Sequence, residues 1–377
     1  MAGYAALSGS NQMLWLTFAP LTTPAATRYG TSVEAIGWLA QIFPLVYVVL
    51  AVPAGLALDR WLVPALSVGA LLNGVGGLVR LFGDGFGPVL AGQLMIAVAQ
   101  PLILGAVTLV ADRSVRVGSR TQAIAYASAG LFAGMLVALT LAPAFGADRL
   151  GSLLVVQAAI AVTASAAMLV TMPRGPRAVD IRSEPRVRAV LADPQLRVLL
   201  GISLLGFGVF VALTTWLQAL LAPAGVSATA ADVMLLLLVG TGVLGGVLLP
   251  APVISRGGGR TALRVAVVVA TAACVVLAVV PGVVTGLVMS ALIGLVLLTA
   301  LPIILTLVEQ RAGDAGATAT GLVWLAGNAG GIAAALLVQA TLARPGLAFA
   351  LLAVVMVMGL PLLRRAGDRT TAGNPEG

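Results

Sequence analysis

Val283–Val308 reads V-V-T-G-L-V-M-S-A-L-I-G-L-V-L-L-T-A-L-P-I-I-L-T-L-V, an apolar run without a single charged side chain. A hydrocarbon core of about 30 Å takes roughly 20 helical residues to cross, so this run is long enough by itself. Lipid offers no water to the backbone, and each amide must be satisfied inside its own helix. The run ends in a polar flourish that has a partner earlier in the chain. Pro302-Ile-Ile-Leu leads to Leu307-Val-Glu309-Gln-Arg311 as Pro101-Leu-Ile-Leu leads to Leu109-Val-Ala-Asp112-Arg113. The segments that follow correspond too: Thr121, Ala129-Gly130 and Gly134 have the spacing of Thr318, Ala326-Gly327 and Gly331. The chain therefore reads as a set of membrane-crossing helices written twice.

Working outward, apolar blocks of crossing length fall at 7–29, 34–57, 62–82, 87–110, 121–145, 151–172, 196–221, 230–254, 262–281, 283–308, 316–342 and 345–363. A content of 60% hydrophobic and 9% charged residues, with a mean hydropathy of +1.09, excludes a soluble globule. The long polar connector from Pro173 to Gln195 separates two sets of six spans. We expect an N-terminal half at 1–173, a cytoplasmic linker at 174–195 and a C-terminal half at 196–377 with a short cytoplasmic tail. The 21 basic residues are all arginine, and their placement orients the chain. Arg60, Arg113, Arg116, Arg120, the central connector, Arg256, Arg260, Arg264, Arg311, Arg364, Arg365 and Arg369 fall on one side. Arg28, Arg80, Arg149 and Arg344 fall on the other. Both termini are thus expected in the cytoplasm, in a bacterial inner membrane by the Ala/Gly/Val/Leu/Arg bias. The formal charge of +8 reads as topology rather than nucleic-acid binding. A lone cysteine, Cys274, excludes an intrachain disulfide, and with the absence of histidine it argues against a histidine- or thiolate-bound metal or haem site. No cofactor is expected, nor is a cleavable signal peptide.

Two parallel repeats of six helices resemble the architecture of the major facilitator superfamily. The connector between spans two and three strengthens the likeness: Gly55-Leu-Ala-Leu-Asp59-Arg60 resembles the G-x-x-x-D-R core of that superfamily's signature. Its glycine lets two helices approach closely. Its carboxylate can hold an arginine or a helix N-terminus in one conformation and release it in another. The basic residues that usually follow are replaced by Trp61, Leu62, Val63 and Pro64. The second half keeps a degenerate copy, Ser255-Arg256-Gly257-Gly258-Gly259-Arg260. Gly55, Asp59, Arg60, Asp112, Arg113 and Glu309 are the candidate conformational switch.

Every acid maps to a loop, a tail or the last turn of a span, which disfavours strict proton coupling; Glu309 or Asp112, near the inner face, remain able to titrate. Aromatic and neutral polar residues remain inside. Asn11, Trp15, Phe18 and Thr22 share one face of the first span. Gln93, Ala97 and Gln100 share a face of the fourth, Phe210, Thr214 and Gln218 one of the seventh, and Trp324 and Asn328 stand four apart on the eleventh. Taken singly these residues read as packing and interhelical hydrogen bonds; taken together they are the candidate substrate site. Kinks are expected at Pro20, Pro24, Pro44, Pro101 and Pro302, and Trp38 and Trp61 read as interfacial belt residues.

A closer resemblance joins these residues. Asn11-Gln-Met-Leu-Trp15-Leu, Tyr29-Gly30, Ile36-Gly-Trp38-Leu, Gly92-Gln93 and Ala99-Gln100-Pro101-Leu-Ile-Leu-Gly105 resemble the feline leukaemia virus subgroup C receptor-related transporters, solute-carrier family 49. Gly316-Ala-Thr318-Ala-Thr-Gly321-Leu322 through Asn328 is similar to that family's eleventh span. Members carry choline and ethanolamine by facilitated transport, and some are linked to haem export. The resemblance implies a pocket of Trp15, Gln100, Phe210 and Asn328, with Phe210 lacking the family tyrosine's hydroxyl and Asn328 shortening a glutamine. Leu131-Phe132 stands where the family has Asn-Gln, making that wall more apolar.

A quaternary ammonium needs no carboxylate, since aromatic faces hold it at about 0.5–2 kcal/mol each. A cation moving toward a negative interior gains about 2.3 kcal/mol per 100 mV. The first expectation is therefore a facilitative carrier of a choline- or ethanolamine-like amine, acting as a monomer in the lipid bilayer on a small-molecule substrate. The alternative is an exporter of amphipathic, drug- or haem-like compounds. A sensor or embedded enzyme is a third class, for which no nucleophile–base constellation or metal cluster speaks.

Overall fold

The computed structural model describes residues 1–172 and 186–364. Among the described residues there are fifteen α-helices and no strand. They are α1 (Ala2–Trp15), α2 (Thr22–Tyr29), α3 (Val33–Val79), α4 (Phe86–Leu104), α5 (Val107–Ser114), α6 (Arg120–Phe145), α7 (Leu150–Thr171), α8 (Arg186–Ala192), α9 (Pro194–Leu221), α10 (Ala228–Leu248), α11 (Pro250–Ser255), α12 (Gly259–Val279), α13 (Val283–Ala312), α14 (Gly316–Gln339) and α15 (Pro345–Val357).

Among the described residues ten helices are long and apolar enough to cross a membrane, where the sequence reading expects twelve spans. The difference arises at the first three. The expected first span is broken: α1 stops at Trp15, a 3₁₀ turn over Ala19–Leu21 carries Pro20, and α2 resumes at Thr22. The second and third spans run together as α3, interrupted only at Trp61, whose φ of −137° and ψ of 59° leave the helical region. Pro64 lies three residues on; lacking an amide, it removes a hydrogen bond from this turn. The fourth span divides at Gly105 and Ala106 into α4 and α5, just after Pro101, and the eighth divides before Pro250. Pro44 and Pro302 instead stay inside continuous helices.

The chain forms two compact units. The first comprises Met1–Ser183 and Asp314–Trp324; the second comprises Glu184–Gly313 and Leu325–Gly377. The opening turns of α14 thus belong to the first unit and the remainder to the second. Residues 173–185 and 365–377, which hold most of the expected linker and tail, lie outside the described residues; α8 covers the linker's end. In the first unit α3 packs on α4 and α7, and α1 on α6 and α7; in the second α13 packs on α10 and α12, and α12 on α15. The α1–α6 crossing depends on bare backbone: a Cβ on Gly134 would stand 1.9 Å from the carbonyl oxygen of Gly9. The α9–α14 crossing repeats it, where a Cβ on Gly330 would stand 1.9 Å from the Leu204 oxygen. Trp38 and Trp61 are exposed on the first unit.

Candidate functional site

Asp59 lies in α3, one turn beyond Gly55, and is only 5% exposed. One carboxylate oxygen accepts from the backbone N–H of Ala317 at 2.9 Å, the other from that of Thr318 at 3.1 Å. The Thr318 hydroxyl donates to the second oxygen as well. These amides open α14, so the carboxylate satisfies N–H groups that have no partner within the helix and sits at the positive end of its dipole. The approach depends on Gly55, where a Cβ would come within 2.9 Å of the Thr318 Cα. Thr108 of α5 meets Thr320 of α14 at 3.1 Å. The helix N-terminus, one of the two partners open to Asp59 in the sequence, is held here. Among the other switch candidates, Asp112 forms an ion pair with Arg120, and the Arg60 guanidinium lies 4.5 Å over the Trp61 ring. Arg113 and Glu309 also have interaction partners, Arg113 in the last turn of α5 and Glu309 near the end of α13.

The first unit holds Asn11, Trp15, Gln93, Gln100 and Trp324. Asn11 donates to the Asn73 side chain at 3.1 Å and to the Ile96 carbonyl at 3.2 Å. Gln93 donates to the Leu14 carbonyl at 3.2 Å, and its oxygen accepts from Arg80 at 3.1 Å. Both amides are thus engaged between helices. The Trp15 indole N–H donates to the Ala40 carbonyl at 2.8 Å, and its ring lies 6.0 Å from that of Phe43. It stays half-buried, unlike Gln100 and Trp324, which are buried. The second unit holds Phe210, Thr214 and Asn328. Phe210 is buried with its ring 5.7 Å from Phe207, Thr214 bonds back to the Val211 carbonyl at 2.9 Å, and Asn328 is buried and partnered.

Matched against known protein families, residues 2–335 fit the Major Facilitator Superfamily. The chain belongs to that superfamily. Members of that superfamily are typically non-enzymatic transporters of small solutes. Its sequence is similar to solute carrier family 49 member A3 of Xenopus tropicalis, 27% identical over 250 residues, and of Danio rerio, 29% over 245. Each match covers 59% of this chain and 51% of the relative, so the similarity spans about half the length of these proteins. In fold it is similar to the human organic anion transporter MFSD10 (TETRAN), with a TM-score of 0.76 at 16% identity over 96% of this chain and 97% of that one. The Escherichia coli fucose:proton symporter FucP gives a TM-score of 0.75 at 15% identity over 96% and 97%.

One residue of this superfamily member has surroundings that its sequence did not show. Arg80, near the end of the expected third span, is 1% exposed and heads the fully buried side chains by size among the described residues. One terminal nitrogen donates to the Thr17 hydroxyl at 3.0 Å, to Gln93 at 3.1 Å and to the Leu14 carbonyl at 3.5 Å. The other donates to Gln157 at 2.9 Å, and the Phe18 ring lies 5.9 Å away. No carboxylate pairs with it, and its Nε has no partner among the described residues. The signal was present: Thr17, Gln93 and Gln157 are hydrogen-bonding residues within apolar spans, and burying such groups is costly without partners.

Proposed function

We propose that the chain is an alternating-access carrier of a choline- or ethanolamine-like amine, driven by membrane potential through facilitated transport. The observation that carries this reading is Trp15. Its indole N–H is tied to α3, its ring is backed by Phe43, and part of it is left uncovered. A fixed aromatic surface of this kind suits a quaternary ammonium. Gln100, with Phe210 and Asn328 of the second unit, completes the candidate set by resemblance. The placement of acids supports transport without a proton carrier: Asp59 caps a helix, and Asp84, Asp112 and Asp193 are paired with arginines near helix ends. The reading includes twelve crossings in halves at 1–173 and 196–377, both termini cytoplasmic in an inner membrane. It also includes a monomer without catalytic activity, cofactor or nucleic-acid partner, in which the Asp59 cap on α14 is made and broken during the cycle.

A specific observation keeps export of amphipathic compounds as a second reading. Leu131 and Phe132, where related carriers are polar, are buried apolar side chains. Uptake of radiolabelled choline into proteoliposomes decides, with an inside-negative potential and no pH gradient. Saturable uptake that is lost in Trp15→Ala is the expected result. Uptake that ignores potential and follows a pH gradient refutes the mechanism, and folded protein without amine uptake transfers the reading to export.

A further inference from the structure

The second unit has a cavity that takes no part in the transport reading. Gln195 and Leu199 from the first turns of α9, Arg260 and Leu263 from α12, Arg311 from the end of α13 and Leu363 beyond α15 enclose about 240 Å³. One end of this space is basic. Arg260 makes no ion pair or hydrogen bond among the described residues. Arg311 donates its Nε to Asp193 at 2.6 Å. The other oxygen of Asp193 is already held by the N–H groups of Gln195 at 2.7 Å and Leu196 at 3.3 Å. Asp193 offsets the charge of Arg311, and Arg260 adds a second guanidinium to the lining. The start of α12 adds to it, since Gly258 precedes that helix and no side chain caps it; free N-terminal amides beside an arginine favour a phosphate.

The rest of the lining is Val198, Leu199, Leu263, Leu307 and Leu363 with the amides of Gln195 and Gln310, and α12 leaves the cavity past Val265 and Val268, each 51% exposed. We propose that this cavity binds an anionic phospholipid, its phosphate held by Arg260 and Arg311 and its acyl chains lying on Leu263, Leu363 and the outward face of α12. A soluble phosphate compound would use the same arginines but gain nothing from the leucines. The arginine surplus of the neighbouring connectors, with Arg256 and Arg264 flanking Arg260, places the site in the leaflet where anionic headgroups attract basic residues.

The full chain, purified in detergent, is titrated with phosphatidylglycerol and with phosphatidylcholine, and bound lipid is counted by native mass spectrometry. Phosphatidylglycerol is retained over phosphatidylcholine. Arg260→Gln weakens it about fivefold, the effect of one basic group near a membrane surface, and leaves phosphatidylcholine unchanged. Arg344→Gln, at an exposed arginine outside the cavity, has no effect. Gln195→Glu puts a second carboxylate into the cavity and also weakens phosphatidylglycerol with Arg260 in place, deciding the matter if Arg260→Gln does not fold. Equal binding by the folded variants overturns the site. Displacement of phosphatidylglycerol by an equal concentration of glycerol phosphate overturns the lipid assignment in favour of a soluble phosphate compound.

Discussion

Replacing Asp59 with asparagine tests whether the carboxylate holds α14 in place. The carboxylate accepts two backbone N–H groups and a hydroxyl, whereas asparagine keeps one oxygen and turns an N–H₂ toward the rest. At least one buried amide of α14 then loses its acceptor, at about 1–3 kcal/mol. The charge facing the helix dipole disappears too, a further loss of about 0.3–2 kcal/mol. Together these make about 1–5 kcal/mol, or roughly 10- to 4,000-fold in the equilibrium for opening this contact. Hydrogen exchange read by mass spectrometry should show the Ala317 and Thr318 amides losing protection by that factor. The Ala230 amide, capped by the Ser227 hydroxyl at 3.2 Å in the second unit, serves as an internal control. Unchanged protection at Ala317 and Thr318 in Asp59→Asn would refute the assignment of the carboxylate as the clamp.

Two further outcomes come from backbone and charge. Gly134→Ala pushes a methyl group into the Gly9 carbonyl and should destabilise by about 1–3 kcal/mol or more. Gly37→Ala in α3 meets nothing within 4 Å and should be neutral or gain up to about 1 kcal/mol; melting of the two purified variants compares them. Burial raises the Asp193 carboxyl, but the Arg311 hydrogen bond and charge and the Gln195 and Leu196 amides outweigh it, leaving its pKa below the ordinary 3.8. A depressed folded pKa gives stability that is present above the ordinary value and lost as pH falls through the folded one. Asp193→Ala should therefore melt lower at pH 7, losing about 0.5–2 kcal/mol of helix capping, and the gap should close in melts below about pH 4.

Apolar runs of crossing length reveal a helical membrane protein because their meaning depends on bilayer thickness alone. Helix breaks are less legible. Pro101 and Pro64 stand beside interruptions, while Pro44 and Pro302 sit in unbroken helices, since neighbouring helices decide whether a freed carbonyl bends or ends its helix. Asp59 was visible as a signature acid, but the near-contact of Gly55 with Thr318 that brings the start of α14 to it was not. Arg80 shows the opposite failure. A charge at the end of an apolar run reads as a marker of orientation, and its true surroundings depend on Thr17, Gln93 and Gln157 arriving from three distant segments.

That buried guanidinium separates the two substrate readings. Arg80 donates to the carbonyl of Leu14, the residue before Trp15 in α1, so a cation over the Trp15 ring would feel a fixed like charge. At about 10 Å and an effective dielectric constant of about 20, the repulsion is about 1.7 kcal/mol. That is as large as one good cation–π contact and close to the gain from 100 mV of potential, so it acts as a selectivity term. Arg80→Gln removes the charge while keeping polar atoms for Thr17 and Gln157. Its loss of hydrogen bonds should lower the melting temperature, and binding is compared on the folded fraction. If the solute is an amine held at Trp15, its affinity should rise by roughly 16-fold, the whole of that repulsion. If the solute is an anionic amphiphile, the same substitution should weaken binding by a similar factor. Titration of purified Arg80→Gln with choline and with an anionic amphiphile therefore gives opposite signs for an amine and for an anionic solute of the amphipathic class. Unchanged affinity for both would place the solute beyond the reach of Arg80 and refute Trp15 as its seat.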